Sequence, residues 1–140
     1  MIPMPADQFP FAGHLGLHIV ERGEGKSTLS VELQEYHKNS LGGIHGSVLF
    51  ALADTGMGAA LYTLLDPEET CVTIEVKINY FKSVREGTIT CRSAVVHKGR
   101  SVANIEASLF SEDVLVAKAN GSFSIQSGRS GRAENNINEK

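Results

Sequence analysis

The chain has 140 residues, with 13 Lys and Arg against 16 Asp and Glu, a formal net charge of -3 and 41% apolar residues. A chain of this length buries roughly 68–70% of the surface that its unfolded form exposes, so one domain with its own core is expected and disulfides are not required. The mild negative charge, without any basic run, argues against nucleic acid or an anionic membrane as the main partner, because both bind clustered Lys and Arg.

The few cysteines and histidines give no disulfide or metal pattern. Cys71 and Cys91 lack the C-x-x-C spacing of zinc or thioredoxin-like sites and are interpreted as free thiols in a reducing compartment. His14 and His18 have the i, i+4 spacing of a helical metal pair, but Gly16 lies between them and no acidic third ligand is near, so no metal site is expected. The N-terminus has no basic region followed by an apolar run, so no signal peptide is predicted and a cytoplasmic location is expected.

The first third of the chain combines short apolar runs with polar turns. Residues 1–14 mix Pro, Phe and Gly and are interpreted as a lead-in segment with room for one short helical turn. Two strand-like runs, 15–20 and 27–33, flank a Gly-Glu-Gly turn at 23–25 and predict a hairpin. Residues 34–45 form a polar loop.

Residues 46–65 are almost continuously apolar, and their only charge is Asp54. A helix that is apolar all round is either buried in a core or spans a membrane, and this segment is barely long enough to span. The central carboxylate, which costs about 2.5–3.5 kcal/mol on insertion scales, and the strand-rich chain that follows favour a buried helix over membrane insertion.

Strand patterns dominate the remainder of the chain up to residue 125. Residues 71–81 alternate between apolar and polar positions, which predicts a half-buried strand. The apolar face comprises Val72, Ile74, Val76, Ile78 and Tyr80, and the polar face comprises Thr73, Glu75, Lys77 and Asn79. Short turns separate three further runs, which predict an antiparallel meander at 88–97, 101–111 and 115–125.

This order of elements predicts an α+β fold. The economical packing is one curved antiparallel sheet of five to six strands wrapped around one long central helix, in a domain over residues 15–126. Residues 127–140 contain almost no apolar side chains to offset their ordering entropy, so they are expected to be a disordered tail.

The loop that leads into the apolar helix carries the residues best suited to chemistry. A helix N-terminus presents unpaired N–H groups and a partial positive charge, which stabilise an oxygen that becomes negative in a transition state. Gly46 lacks a Cβ, so a substrate carbonyl can approach its N–H closely, while Asn39 supplies a second donor or holds the loop. The alternative is that the glycines only give flexibility before the helix.

Asp54 is the second candidate, because an ionisable residue inside an apolar helix is costly unless it is paired or functional. It is predicted to attack an acyl carbonyl or to activate water as a general base, the alternative being a structural pair with an Arg or a cap on a neighbouring element. Gly46 and Asp54 are eight residues apart, roughly 12 Å along a helix. They cannot serve one carbonyl, so if both are catalytic, the helix N-terminus of one subunit meets Asp54 of another in a dimer.

Other polar residues are weaker candidates. Thr73 is suited to hold a water, although a surface Thr on a strand is the commoner explanation. His45 is either a general base or a residue that orients the loop by hydrogen bonding. The turns on both sides of the strand at 88–97 carry cations that form a small anion-binding patch or are simply solvated, namely Lys82, Arg85, Lys98 and Arg100.

These motifs resemble the hotdog-fold acyl-CoA thioesterases, specifically the phenylacetate-pathway type related to 4-hydroxybenzoyl-CoA thioesterases. The resemblance covers about residues 12–125. It rests on Asn39-x-x-Gly42-x-x-His45-Gly46 followed by Leu52-Ala53-Asp54, on Val76-x-x-Asn79-Tyr80-Phe81-Lys82, and on Lys98-Gly99-Arg100-Ser101. Ser47 departs from the family, which usually carries a second Gly after His-Gly.

The resemblance implies the sheet-wrapped helix and a dimer that commonly pairs again into a tetramer. It implies Asp54 as the nucleophile or general base and the Gly46 N–H as the oxyanion donor from the partner subunit. Asn39 and His45 would support the thioester end of the site, and Thr73 would match a water-orienting Ser or Thr. The turn near the coenzyme A phosphates would be Lys98-Gly99-Arg100-Ser101.

The sequence therefore predicts an acyl-CoA thioesterase that releases a carboxylic acid and free coenzyme A, with no metal and no cofactor besides the coenzyme A of its substrate. Its expected partners are the acyl-CoA and further copies of itself, as a homodimer and then a homotetramer. The expected coenzyme A contacts are Lys82, Arg85, Lys98, Gly99, Arg100 and Ser101. The alternatives are a hotdog hydratase or dehydratase, and a non-catalytic acyl-CoA-binding protein, to which a central carboxylate would bring little.

Overall fold

The computed structural model describes residues 10–128. The predictions for residues 1–9 and for the tail from residue 129 onward lie outside the described residues. The elements in chain order are α1 Pro10–Leu15, β1 Leu17–Gly23, β2 Lys26–Glu32, α2 Gly46–Tyr62, β3 Glu69–Tyr80, β4 Thr88–Lys98, β5 Val102–Ser111 and β6 Val114–Ser127. A 3-10 turn, Glu35–His37, lies in the loop between β2 and α2.

The strands of the described chain form one antiparallel sheet in the order β1-β2-β4-β5-β6-β3. The predicted hairpin of β1 and β2 and the predicted meander of β4, β5 and β6 are confirmed. β3 does not lie beside β4, the next strand along the chain, but pairs with β6 along its whole length. The two edges of the sheet are therefore β1 and β3.

Helix α2 packs across the sheet and supplies the centre of the core. Leu52, Met57 and Leu61 are fully buried, and burial of a side chain of this size stabilises the fold by about 1.5–3 kcal/mol. Thr63 ends the helix, because its Oγ1 donates to Ala60 O at 2.7 Å and accepts from Gly25 N–H at 2.7 Å. In the described residues, no helix is long and apolar enough to cross a membrane.

The backbone of α2 comes very close to β2 and β4 at Gly56. Ser27 Oγ donates to Gly56 O at 2.6 Å. A Cβ added at Gly56 would lie 3.0 Å from Ser93 Oγ and 3.5 Å from Cys91 Sγ. This glycine therefore sets the distance between the helix and the sheet.

The strict alternation predicted for β3 is wrong. The register with β6 shifts after Thr73, which places a β-bulge at Ile74. A bulge inserts one extra residue, so the side chains that follow it exchange faces. Before the bulge Thr73 points toward α2 while Val72 and Ile74 are 41% and 57% exposed, and after it Val76 and Ile78 pack against the core.

Candidate active site

His45 caps the N-terminus of α2. Its Nδ1 accepts the Ser47 N–H at 3.0 Å, and Ser47 Oγ lies 2.6 Å from the same atom. The His45 N–H donates to His37 O at 2.8 Å. These bonds are those of a residue that orients the loop, which was one of the two predicted roles, and Ser47, the departure from the family's usual second Gly, contributes a hydroxyl to the cap.

Asn39 closes the loop that precedes the helix. Its Oδ1 accepts the N–H groups of Leu41 at 2.9 Å and Gly43 at 3.2 Å, and its own N–H donates to Gly43 O at 2.7 Å. Asn side chains favour such turns because they reproduce the hydrogen bonds of the backbone. Asn39 thus holds the loop, which was one of its two predicted roles.

Tyr80, at the end of β3, contacts the first residue of α2. Its hydroxyl donates to Gly46 O at 2.8 Å, and a Cβ added at Gly46 would lie 3.0 Å from Tyr80 Cζ. Burial raises the pKa of Tyr80 above its usual value of 10.0, so the hydroxyl stays a donor at neutral pH. Sequence reasoning placed Tyr80 on an apolar face and in the Val76-x-x-Asn79-Tyr80-Phe81-Lys82 motif but gave it no role; its contact with Gly46 depends on the fold and has no signal in the local pattern.

A cleft of about 340 Å³ opens at this helix terminus, and we call it the Gly46 cleft. Its lining residues are Asn39, Ile44, Gly46, Leu49, Tyr80, Phe81, Lys82 and Ser83. The lining combines apolar side chains with a cation and hydrogen-bonding groups. Small-molecule sites commonly have this composition, which makes the cleft a candidate ligand site.

Asp54 lies half-buried in the middle of α2, outside the residues of this cleft. Thr73 Oγ1 donates to Asp54 Oδ1 at 2.7 Å, so the Thr73 side chain points toward the carboxylate and does not face solvent. Across residues 10–128, no Lys or Arg forms an ion pair with Asp54. The predicted structural alternative of an Asp–Arg pair therefore has no partner in this part of the chain.

The Cys71 thiol lies close enough to Asp54 to feel its carboxylate, and the Tyr62 phenol in turn contacts Cys71. Burial, together with the Asp54 charge, raises the pKa of Cys71 to about 12. The Cys71 N–H donates to the Tyr62 hydroxyl at 3.3 Å, and burial raises the pKa of Tyr62 as well. Both groups are therefore neutral at pH 7.

The predicted anion-binding patch does not form within one chain. Arg85 precedes β4, where its Nη1 donates to Leu41 O at 3.1 Å, and Lys82 lines the Gly46 cleft. The turn 98–101 follows β4, whose 11 residues span roughly 36 Å at 3.3 Å each. The cations lie at opposite ends of a strand, which is the reason they do not meet. In that turn the Gly99 N–H donates to Val102 O at 2.9 Å, and Ser101 O accepts from Ile125 N–H at 2.8 Å.

No group of three or more His, Cys, Asp or Glu side chains within residues 10–128 is placed to hold a metal ion. His14 lies in α1 and His18 lies in β1, and Gly16 between them has a φ of +74°. Since the helix ends between these two histidines, their spacing is not that of a helical pair.

Residues 41–118, more than half of the chain, match the family described as the thioesterase superfamily. The chain belongs to this superfamily. This thioesterase is 26% identical over 87 residues to the 1,4-dihydroxy-2-naphthoyl-CoA hydrolase of Listeria monocytogenes, which covers 62% of this chain and 71% of that protein.

Solved structures share its architecture. A conserved protein from Pseudomonas aeruginosa, PA5202, superposes with a TM-score of 0.83 and 32% identity, covering 86% of this thioesterase and 97% of that chain. A mutant of the phenylacetic acid degradation protein PaaI from Thermus thermophilus gives a TM-score of 0.77 and 27% identity, covering 83% and 98%. The hotdog fold, the membership of the thioesterase family and the assignment as a thioester hydrolase are confirmed.

Proposed function

We propose that this thioesterase hydrolyses an acyl- or aryl-CoA thioester to a carboxylic acid and free coenzyme A, with Asp54 as the nucleophile or general base. The observation that carries this proposal is a carboxylate inside an apolar helix, bonded to Thr73 and without an ion-pair partner in the described residues. The Listeria relative, named as a CoA hydrolase, supports a coenzyme A thioester as the substrate class.

The free oxygen of Asp54 is the reacting atom, because Oδ1 is already held by Thr73. As a general base it takes a proton from water while the water oxygen attacks the thioester carbon; the C–S bond then breaks and the leaving thiolate recovers that proton. As a nucleophile its oxygen attacks the thioester carbon, the C–S bond breaks and the thiolate leaves from an acyl-carboxylate anhydride; water then hydrolyses the anhydride, which restores Asp54 and frees the acid, and the thiolate takes up a proton that this water gives up. In both routes the carbonyl oxygen becomes negative and is stabilised by the Gly46 N–H at the positive end of α2.

A second copy of the chain completes the site in this proposal. Asp54 lies about 12 Å along α2 from Gly46, so the acid of one subunit and the oxyanion donor of its partner flank one thioester. β3 is an edge strand and exposes Val72 and Ile74 next to Thr73, which is the character of a strand that pairs with another chain. Antiparallel pairing of β3 with its copy turns the Gly46 end of one subunit toward the Glu69 end of the other.

The same pairing supports a composite site for the coenzyme A phosphates. Glu69 pairs with Ser127, and the neighbouring Ile125 bonds to Ser101, so the turn 98–101 lies at the Glu69 end of β3. In an antiparallel dimer this end lies beside the Tyr80 end of the partner strand, where Lys82 lines the cleft. Cations that one chain keeps apart are then brought to one side of the dimer.

Release of free thiol from a panel of aryl- and fatty-acyl-CoA esters tests this function. Asp54→Asn removes the reacting charge, so kcat is expected to fall by at least roughly 100-fold with the fold intact. Asp66→Asn makes the same chemical change at an exposed position after α2 and is expected to keep wild-type turnover. Unchanged turnover of Asp54→Asn would refute the assignment. Binding without thiol release would indicate a binding protein, and hydration of an enoyl-CoA would indicate a hydratase.

A further inference from the structure

Tyr80 holds the start of α2 through two contacts with Gly46, the hydrogen bond of 2.8 Å to the carbonyl oxygen and the packing of its ring against the face that lacks a Cβ. We propose that Tyr80 is a positioning residue that fixes Gly46, and with it the N–H that receives the oxyanion. This inference rests on the proposed function and assigns a role to a residue outside the group of Asp54 and Thr73.

The start of α2 needs such a support. Glycine has the widest backbone freedom of all residues, and Gly46 has no side chain with which to anchor itself. On one side the loop is held by the His45 cap on Ser47 and by the His45 N–H to His37 O. Tyr80, at the end of β3 and 34 residues away in the sequence, supplies a further hydrogen bond to this end of the helix. Pre-organised donors are effective in catalysis because they do not reorganise when charge develops.

The ring contact also explains why residue 46 is a glycine. A Cβ there would come within 3.0 Å of Tyr80 Cζ and 3.2 Å of its hydroxyl oxygen, which is too close for an ordinary contact. A side chain at this position therefore requires the Tyr80 ring to give way by a few tenths of an ångström. The absence of a Cβ at residue 46 therefore leaves space for the Tyr80 ring as well as for an approaching substrate.

The exposure of Tyr80 favours a positioning role over a role in stabilising the fold. The residue is 49% exposed, and a neutral hydrogen bond at such a position contributes little to the stability of the fold. Tyr80 is also one wall of the cleft that contains Gly46. Loss of the hydroxyl should therefore change turnover and leave folding and substrate binding almost unchanged.

The first test compares Tyr80→Phe with wild type on the thioester that the panel identifies as best. The kcat is expected to fall about tenfold, equivalent to about 1.4 kcal/mol, with KM within about twofold and the melting temperature unchanged. Tyr36→Phe is the matched control, since it removes the same atom from a ring that is 68% exposed outside the cleft, and it should behave as wild type.

The second test asks whether Tyr80 acts through Gly46. Gly46→Ala places a methyl group 3.0 Å from Tyr80 Cζ, so the ring has to shift by a few tenths of an ångström and the contact is disturbed in that variant. The Tyr80→Phe change is then expected to cost clearly less kcat in the Gly46→Ala background than the tenfold that it costs in wild type. A full tenfold additional loss would overturn the inference, because Tyr80 would then act independently of Gly46.

The outcomes distinguish this inference from the proposed function. A wild-type protein that releases no thiol from any thioester refutes the function, and the positioning role falls with it. Wild-type turnover that Tyr80→Phe retains in full refutes the positioning role alone. A kcat loss that only follows a lowered melting temperature makes Tyr80 a structural residue and equally overturns the inference, and kcat per folded molecule, measured well below the melting temperature, decides the case if Tyr80→Phe is destabilised.

Discussion

At the scale of single residues, the environment of the two thiols decides which group is available for chemistry. Burial raises the pKa of Cys71 and of Cys91 from 9.0 to about 12, and the charge of Asp54 adds to the shift at Cys71. A thiolate, not a thiol, is the nucleophile. Cys71 is therefore inert at neutral pH although it lies near the carboxylate, which leaves Asp54 as the group proposed to react.

The same shifts predict a loss of stability in alkali. Between pH 9 and 12 the unfolded chain has lost the thiol protons that the folded chain keeps, so the free energy of unfolding falls as pH rises through this window. The slope is about 1.4 kcal/mol per pH unit for each buried thiol. Urea unfolding of wild type and Cys91→Ala at several pH values from 8 to 11 measures it, and Cys91→Ala should show the smaller slope. Equal slopes for the two proteins would show that the buried Cys91 thiol does not cause this loss of stability.

At the scale of elements, α2 lies closest to the sheet where a glycine or a small polar residue stands in place of a larger side chain. Gly56 and Gly58 lie in the same helix, but a Cβ at Gly56 would be 3.0 Å from Ser93 Oγ, whereas one at Gly58 would be 3.7 Å from Phe123 Cε2. Alanine gains about 1 kcal/mol over glycine in a helix, and overpacking costs about 1–3 kcal/mol. The two positions should therefore respond to the same change with opposite signs.

Gly58→Ala is expected to raise the free energy of unfolding by up to about 1 kcal/mol, because it adds helix propensity in ordinary contact. Gly56→Ala is expected to lower it by about 1 kcal/mol, because the new methyl group forces the helix away from β4. Urea denaturation of both variants and wild type, analysed with one common dependence of the unfolding free energy on urea concentration, measures the two changes. The close approach at Gly56 would be contradicted if Gly56→Ala were as stable as Gly58→Ala.

The elements differ in how far the sequence could predict them. Turn residues and alternation predicted the hairpin and the meander, and the nearly continuous apolar run at 46–65 predicted the long helix, because these depend on neighbours in the chain. The bulge at Ile74 could not be predicted, because one inserted residue leaves the apolar pattern of the sequence intact while it exchanges the two faces of the strand. Thr73 was for this reason placed on the solvent side. The pairing of β3 with β6 and the contact between Tyr80 and Gly46 are non-local and have no signal in the local pattern.

At the scale of the whole molecule, one chain keeps the parts of the proposed site apart. The Gly46 cleft opens at the start of α2, and Asp54 lies eight residues further along the helix with Thr73 of the edge strand. Apolar side chains exposed beside Thr73, at Val72 and Ile74, give this edge the surface for a second copy. Two sites related by a two-fold axis would then each take the acid from one subunit and the oxyanion donor from the other.

Mixing two inactive variants tests this arrangement. Asp54→Asn lacks the acid, and Gly46→Val displaces Tyr80 and closes the approach to the donor, so each homodimer should be inactive. After the two are unfolded together and refolded in equal amounts, half of the dimers are mixed, and one of the two sites in each mixed dimer has both intact residues. Thiol release should therefore return to about a quarter of the wild-type rate. If both residues served a thioester within one chain, every site in the mixture would lack one of them and no activity would return.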